Sequence, residues 1–276
     1  MTNKIILTVL IALLLNFSGG CKSQPEGENT SPEMARSMVK LRGYEFDKEG
    51  FFTAIKAKKP LIVDGFLKGG MDPNTKNEKG ETALTYAVQN SPDEITKIIL
   101  EKADVNMQDD LGNSPLYLAI TEGKDEIFNA LLEKNADVNV TGSKGKVKNI
   151  TPLYAAILNN REDYIKALIE KKADPNIADS GGSYPLTDAV IGRRANPRIV
   201  KMLIDNGADV NKTEEKGAPP LVYIAANKDI NPQTRKEIVQ LLLDKGAKKD
   251  GKDAQGNNAL YWAKKYKHDE TAELLK

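Results

Sequence analysis

Two short signatures alternate along this chain, and their regular return restricts the fold more than any other feature does. The first reads "TALTYA" (82–87), "SPLYLA" (114–119), "TPLYAA" (151–156), "YPLTDA" (184–189), "PPLVYIA" (219–225) and "NALYWA" (258–263). The second reads "EKADVN" (101–106), "KNADVN" (134–139), "KKADPN" (171–176), "NGADVN" (206–211) and "KGAKKD" (245–250). The leucine shared by the first set falls at 84, 116, 153, 186, 221 and 260, in steps of 32, 37, 33, 35 and 39. A period of that size is one supersecondary unit, too small to bury its own apolar face, so neighbouring units must stack.

Between the signatures lie two apolar-periodic segments, such as Leu116–Thr121 and Glu126–Glu133, each a short helix. In "EIFNALL", Ile127, Ala130, Leu131 and Leu132 are spaced to share one buried face. Helices this short are not stable alone and depend on the stack. Ala87, Ala119, Ala156, Ala189 and Ala263 return at one helix position, where a small side chain admits a close neighbour. Pro115, Pro152 and Pro185 suit a first helical turn, whose N–H is unpaired anyway. Gly80, Gly112, Gly181, Gly217 and Gly256 suit tight turns.

From about Phe46 to the C-terminus these residues resemble the ankyrin repeat, with its T-P-L-H and G-A-D-V-N signatures. The resemblance implies an all-α solenoid of stacked helix pairs with hairpin fingers. It would fill residues 34–276 with about seven units, at 46–76, 77–108, 109–141, 142–178, 179–211, 212–250 and 251–276, the first and last being atypical caps. Ser31 followed by Pro32 is a helix-start signal, and Ser31–Leu41 is expected to cover the open end of the first unit. The resemblance also implies that Asp104, Asp137, Asp174 and Asp209 brace the hairpin turns, and that fingertips and inner-helix faces grip a protein partner. One departure matters. The family histidine of T-P-L-H, which ties adjacent turns together, is replaced here by Thr85, Tyr117, Tyr154, Thr187, Val222 and Tyr261. Tyrosine supplies bulk and one hydroxyl in its place.

The irregular steps locate additions. From the signature asparagine to the next inner helix the spacing is eight residues at 74–82, 106–114 and 176–184, but twelve from Asn139 to Thr151. Four extra residues therefore lengthen one finger, "VTGSKGKVKN", which carries Lys144, Lys146 and Lys148. This basic finger is the candidate partner contact, with Met107, Leu111 and Ile150 as apolar anchors beside it; a solvated insertion that merely tolerates length is the alternative. Two further additions, "GRRANP" (192–197) and "NKDINPQTRK" (227–236), fall between paired helices, and Arg193 and Arg194 in the first are expected to be solvated. "EKADVN" lacks the glycine of the signature, which accounts for the step of 32.

The first twenty residues have the three-part pattern of a secretory signal: Lys4, the apolar run Ile5–Leu15, and the small residues Ser18, Gly19 and Gly20. Cys21, the chain's one cysteine, follows directly. The segment resembles a bacterial lipoprotein signal in which Cys21 is lipidated, although Ser18 stands where the usual box has leucine. Residues 21–33 then read as a flexible polar tether. Two or more acyl chains would anchor the protein stably where one would hold marginally. Lys22 in place of aspartate favours the outer membrane.

Composition excludes several functions. The 40 basic residues, less Lys4, equal the 39 acidic ones, which argues against a nucleic-acid binder. No phosphate loop, dinucleotide loop or nucleophile elbow occurs. The single histidine, His268, is expected at a helix start, so histidine-based catalysis and zinc sites lack their residues. No cofactor and no metal are expected. The reading is a monomeric, non-enzymatic, membrane-tethered lipoprotein that binds a protein partner at a bacterial envelope, as an adaptor or stabiliser. A toxin-immunity inhibitor and a surface protein gripping a host molecule are alternatives, a structural spacer and an enzyme remoter ones.

Overall fold

The computed structural model describes residues 30–213 and 217–276. Cys21, the apolar run before it and the tether up to residue 29 lie outside the described residues. The chain divides into two compact units, one ending at Asp109 and one spanning Asp110–Lys276. Both are built from antiparallel helix pairs joined by extended fingers, and fifteen α-helices occur among the described residues.

The first unit holds α1 (Pro32–Leu41), α2 (Lys48–Lys56), α3 (Pro60–Lys68), α4 (Ala83–Asn90) and α5 (Asp93–Leu100). Ser31 caps α1 by accepting from the Met34 N–H, so the helix starts where the Ser31–Pro32 signal places it. It covers α3 through Ala35 and Val39. Gly65, in the middle of α3, makes the approach possible: a Cβ there would lie 3.0 Å from Val39 Cγ2. Arg36 fixes the cap further, its Nε donating to the Gly69 carbonyl at 2.6 Å. The core beneath is aromatic, with Phe66 stacked on Phe46 at 5.1 Å and tilted against Phe51 at 5.5 Å.

The second unit holds α6 (Pro115–Thr121), α7 (Asp125–Glu133), the hairpin β1 (Gly142–Lys144) and β2 (Val147–Ile150), α8 (Pro152–Leu158), α9 (Glu162–Glu170), α10 (Pro185–Ala189), α11 (Pro197–Asp205), α12 (Pro220–Ala226), α13 (Pro232–Asp244), α14 (Ala259–Lys265) and α15 (Asp269–Leu275). Inner helices pack on inner helices and outer on outer, as in α6 on α8, α12 on α14 and α13 on α15. Ala119, Ala156, Ala189 and Ala263 are buried on these inner helices, and Ala87 is buried on α4 of the first unit. Ser114, Thr151 and Asn258 cap their inner helices, each accepting from the N–H three residues on. In α7 the buried face is Ile127, Phe128, Leu131 and Leu132. Phe128 replaces the expected Ala130 because its ring stacks on Tyr164 of α9 at 4.2 Å. The fingertip glycine near 181 is likewise one residue off: Gly182 has the positive φ of +84°, not Gly181.

The fingers are held by a ladder that runs through the second signature. Asp104, Asp137, Asp174 and Asp209 each accept from the N–H two residues on, at 2.8–2.9 Å, which closes the turn as the resemblance implied. The asparagine two residues later then reaches into the next repeat. Asn139 accepts from the Asp174 N–H at 3.0 Å, Asn176 from Asp209 at 2.9 Å and Asn211 from Lys248 at 2.9 Å. Asn74 does the same for Asp104 in the first unit, at 2.7 Å.

Candidate functional site

The lengthened finger is a short antiparallel hairpin, paired Gly142↔Ile150 and Lys144↔Val147, with one bulge between. Gly145 (φ +62°) turns the tip, and Asn149 (φ +59°) absorbs the bulge on the second strand. Both edges are docked. On the first, the Ser143 N–H donates to Asn113 Oδ1 at 2.8 Å and its hydroxyl donates to the Leu111 carbonyl at 2.9 Å. On the second, the Lys148 N–H donates to Ser180 Oγ at 2.7 Å, and the Ser180 N–H donates back to the Lys148 carbonyl at 2.8 Å. From below, the Tyr117 hydroxyl donates to the Ser143 carbonyl at 3.1 Å. The finger is thus a braced projection.

Lys144, Lys146 and Lys148 are exposed on it, and Val147 at the tip is 38% exposed. Leu111 is brought to its base and is 69% exposed, so these four predicted residues share one surface. Ile150 does not: it is 3% exposed and belongs to the core at the finger's root, because it closes the register opposite Gly142. A partner cannot use it as an anchor. Met107 lies in the other compact unit, half-buried in the turn after Asp104.

The missing family histidines are replaced in two ways. Tyr117 and Tyr154 reach across to the next repeat, the second through its hydroxyl to the Asp188 carboxylate, which also accepts from Ser183 at 3.0 Å. At the opposite edge, where the paired helices meet, other ties appear that sequence reasoning missed. The Arg161 guanidinium pairs with Asp125 at 2.7 Å and Asp163 at 2.8 Å and lies 3.9 Å over the Tyr164 ring. The Tyr164 hydroxyl, foremost, and then Arg161 hold the Asp125 carboxyl below its usual range. Arg193 and Arg194 are both exposed, as expected, and Arg194 also donates to the Leu158 carbonyl at the end of α8. His268 does start α15, and its Nδ1 lies 2.9 Å from the Ala225 carbonyl of α12.

The two inter-helix additions are one structure. Asn227 of "NKDINPQTRK" donates to the carbonyls of Val190 and Gly192, at 3.1 and 2.9 Å, and so grips the loop that holds "GRRANP". Arg235, 4% exposed, donates to the Asn227 carbonyl at 3.0 and 2.8 Å and to Ile230 at 3.2 Å. Its burial was signalled only by an arginine within a helix face otherwise made of Ile238, Val239 and Leu242. No group of three or more potential metal ligands occurs among the described residues. No helix among them is long and apolar enough to cross a membrane.

A cleft of about 300 Å³ opens in the first unit between α2 and the finger at 77–81. Phe52 and Tyr86 meet edge to face at 5.8 Å in its wall, and Lys48, Lys56, Lys79 and Glu78 rim it. A second, of about 260 Å³, lies beside Gly192 and Arg193 in the second unit. Both are shallow surfaces of mixed polarity that suit side chains of a partner better than a small substrate.

The family model for ankyrin repeats matches three times, over residues 51–142, 141–214 and 189–276. Among solved structures the chain is similar to an ankyrin repeat domain from Acinetobacter baumannii AYE, at 25% identity and a TM-score of 0.62 over 73% of this chain and all of that one. The comparison with curated proteins gives no match.

Proposed function

Since the chain belongs to the ankyrin-repeat family, we propose that it is a membrane-tethered binding protein that holds a protein partner at a bacterial cell envelope. Ankyrin repeats generally mediate protein–protein interaction, and they are scaffolds more than catalysts. The observation that carries the finer reading is a pairing in one chain. Cys21 stands directly after an eleven-residue apolar run and small residues, and a repeat stack bearing a braced lysine finger follows. Bracing matters because a finger backbone already ordered loses little entropy on binding, so less of the attraction between its three ammonium groups and an acidic partner is offset by ordering the loop. A tether in turn raises the partner's effective concentration at the membrane. The role is that of an adaptor or stabiliser of an envelope protein.

The test is capture from envelope extract on the chain from Lys22 onward, beside the same bait with Lys144, Lys146 and Lys148 changed to Glu. One envelope protein retained in stoichiometric amount by the first bait and lost by the second supports the reading. Equal retention by both removes the finger from it, and no retained protein removes the adaptor role. Incorporation of labelled palmitate at Cys21, abolished by Cys21→Ser, tests the anchor separately.

A further inference from the structure

The stretch from the end of α13 through α14 carries a basic surplus, and two of the acids that follow it on α15, Glu270 and Glu273, pair with Lys236 and Lys276. Residues 245–268 contain seven lysines and two aspartates in a molecule whose formal net charge is +1. Three aromatic rings stand among them. Tyr261, 45% exposed, meets Trp262 edge to face at 5.4 Å, and Trp262 stacks on Tyr266 at 5.5 Å. Two ammonium groups rest on these rings. Lys265 Nζ lies 4.4 Å from the Trp262 centroid, and Lys228 Nζ, from the loop after α12, lies 4.9 Å over Tyr266. Asp253 is turned to the fold, accepting from the Trp262 indole N–H at 2.7 Å and from the N–H groups of Gln255 and Asn257, and the seven lysines outnumber the two aspartates.

We infer that this patch is a second recognition site, for an acidic polypeptide segment whose carboxylates are taken by Lys228 and Lys265. It rests on the binding reading above and names the chemistry of one partner segment. Two features select this ligand over others. Trp262 and Tyr266 stack on each other and each carries a lysine over its ring, so neither offers a bare platform for stacking a nucleobase. The indole is pinned through its N–H to Asp253, which keeps Trp262 from turning outward into a lipid headgroup layer. What the patch presents outward is ammonium groups already positioned by cation–π contacts, with donors left over for a carboxylate. A lysine on a flexible stem loses most of its rotamer freedom on pairing; these two have lost part of it in advance.

Trp262 is the chain's single tryptophan and sits under Lys265, so its emission reports on the patch directly. The full chain is titrated with a short oligo-glutamate peptide, with oligo-glutamine, with single-stranded oligo-thymidylate and with phosphatidylglycerol vesicles. The expected result is a saturable change with oligo-glutamate alone. It should weaken as salt rises and bind about tenfold less tightly in Lys265→Glu and in Lys228→Glu. Both lysines are exposed, so neither change disturbs the core. No response to oligo-glutamate, wild-type affinity in both variants, or tighter binding of the oligonucleotide or the vesicles overturns the inference. Partner capture by the full chain that Lys265→Glu leaves unchanged, with no response to the peptide, strikes this patch and spares the binding reading. Failed capture with peptide binding intact does the reverse.

Discussion

Lys172 illustrates what a single residue costs in this fold. It sits at φ +67°, in the position where Gly207 and Gly246 carry the second signature of later repeats at φ +91° and +85°. A non-glycine residue in that region is strained by roughly 1–2 kcal/mol, part of which glycine returns as entropy to the unfolded chain. Lys172→Gly is therefore expected to stabilise by about 0.5–1 kcal/mol, read as a higher urea midpoint at unchanged slope. Gly142 is the opposite case. Its backbone is not in the left-handed region; the Tyr117 ring lies directly against its Cα, where a Cβ would fall inside the ring. Gly142→Ala should destabilise by about 1–3 kcal/mol through overpacking, and Gly142→Ala with Tyr117→Leu should recover most of the loss in the same melts. The first effect was legible in the signature, since the sequence supplies glycine in some repeats and not in others. The second was not, because nothing in "VTGSKGKVKN" says that a tyrosine twenty-five residues earlier needs room.

At the scale of elements, the helices and their caps followed from spacing, while the joints between repeats did not. The two additions were located by counting, yet no local pattern tells that Asn227 grips the loop at Val190 and Gly192, or that Arg235 is buried behind it. The Asn227 pairings join residues 37 and 35 positions apart, beyond the reach of any local pattern. Asn227→Ala leaves the Val190 and Gly192 carbonyls without their side-chain donor, while the backbone carbonyl that Arg235 uses remains, and is expected to lower stability by about 2 kcal/mol, measured by chemical unfolding. The joint between α12 and α15 is sensitive to acid. Burial, the largest influence, holds His268 below its ordinary 6.5, although the Ala225 carbonyl opposes the shift; Arg235 adds to it and Asp269 opposes it. The unfolded chain thus takes up the proton first as pH falls. The contribution of His268 is complete above about pH 6.5 and is lost as pH falls below that value toward its lower folded pKa. The midpoint followed by Trp262 emission should decline over that acid window, and His268→Gln should flatten it. A variant with the wild-type slope would mean that other groups govern the acid side.

For the whole molecule, the proposed function separates into two parts that single substitutions can divide. The anchor depends on Cys21, which precedes every described residue, and the grip depends on surfaces formed by the repeats. The finger lysines are exposed, and among the described contacts they support the fold through backbone groups only, as Lys148 does with Ser180. Changing Lys144, Lys146 and Lys148 to Glu should therefore shift the melting free energy by no more than about 0.5 kcal/mol, the ordinary range for surface positions. The same triple change reverses three charges on one braced element, and an acidic partner then meets repulsion in place of attraction. The chain should remain with the membrane fraction but fail to co-purify its partner. Cys21→Ser predicts the complementary outcome: release from the membrane fraction with partner binding retained in extract. Fractionation followed by pull-down of both variants measures all four quantities together. If the two defects fall in the same variant, tether and grip are not independent, and the partner itself, not a lipid, holds the protein at the membrane.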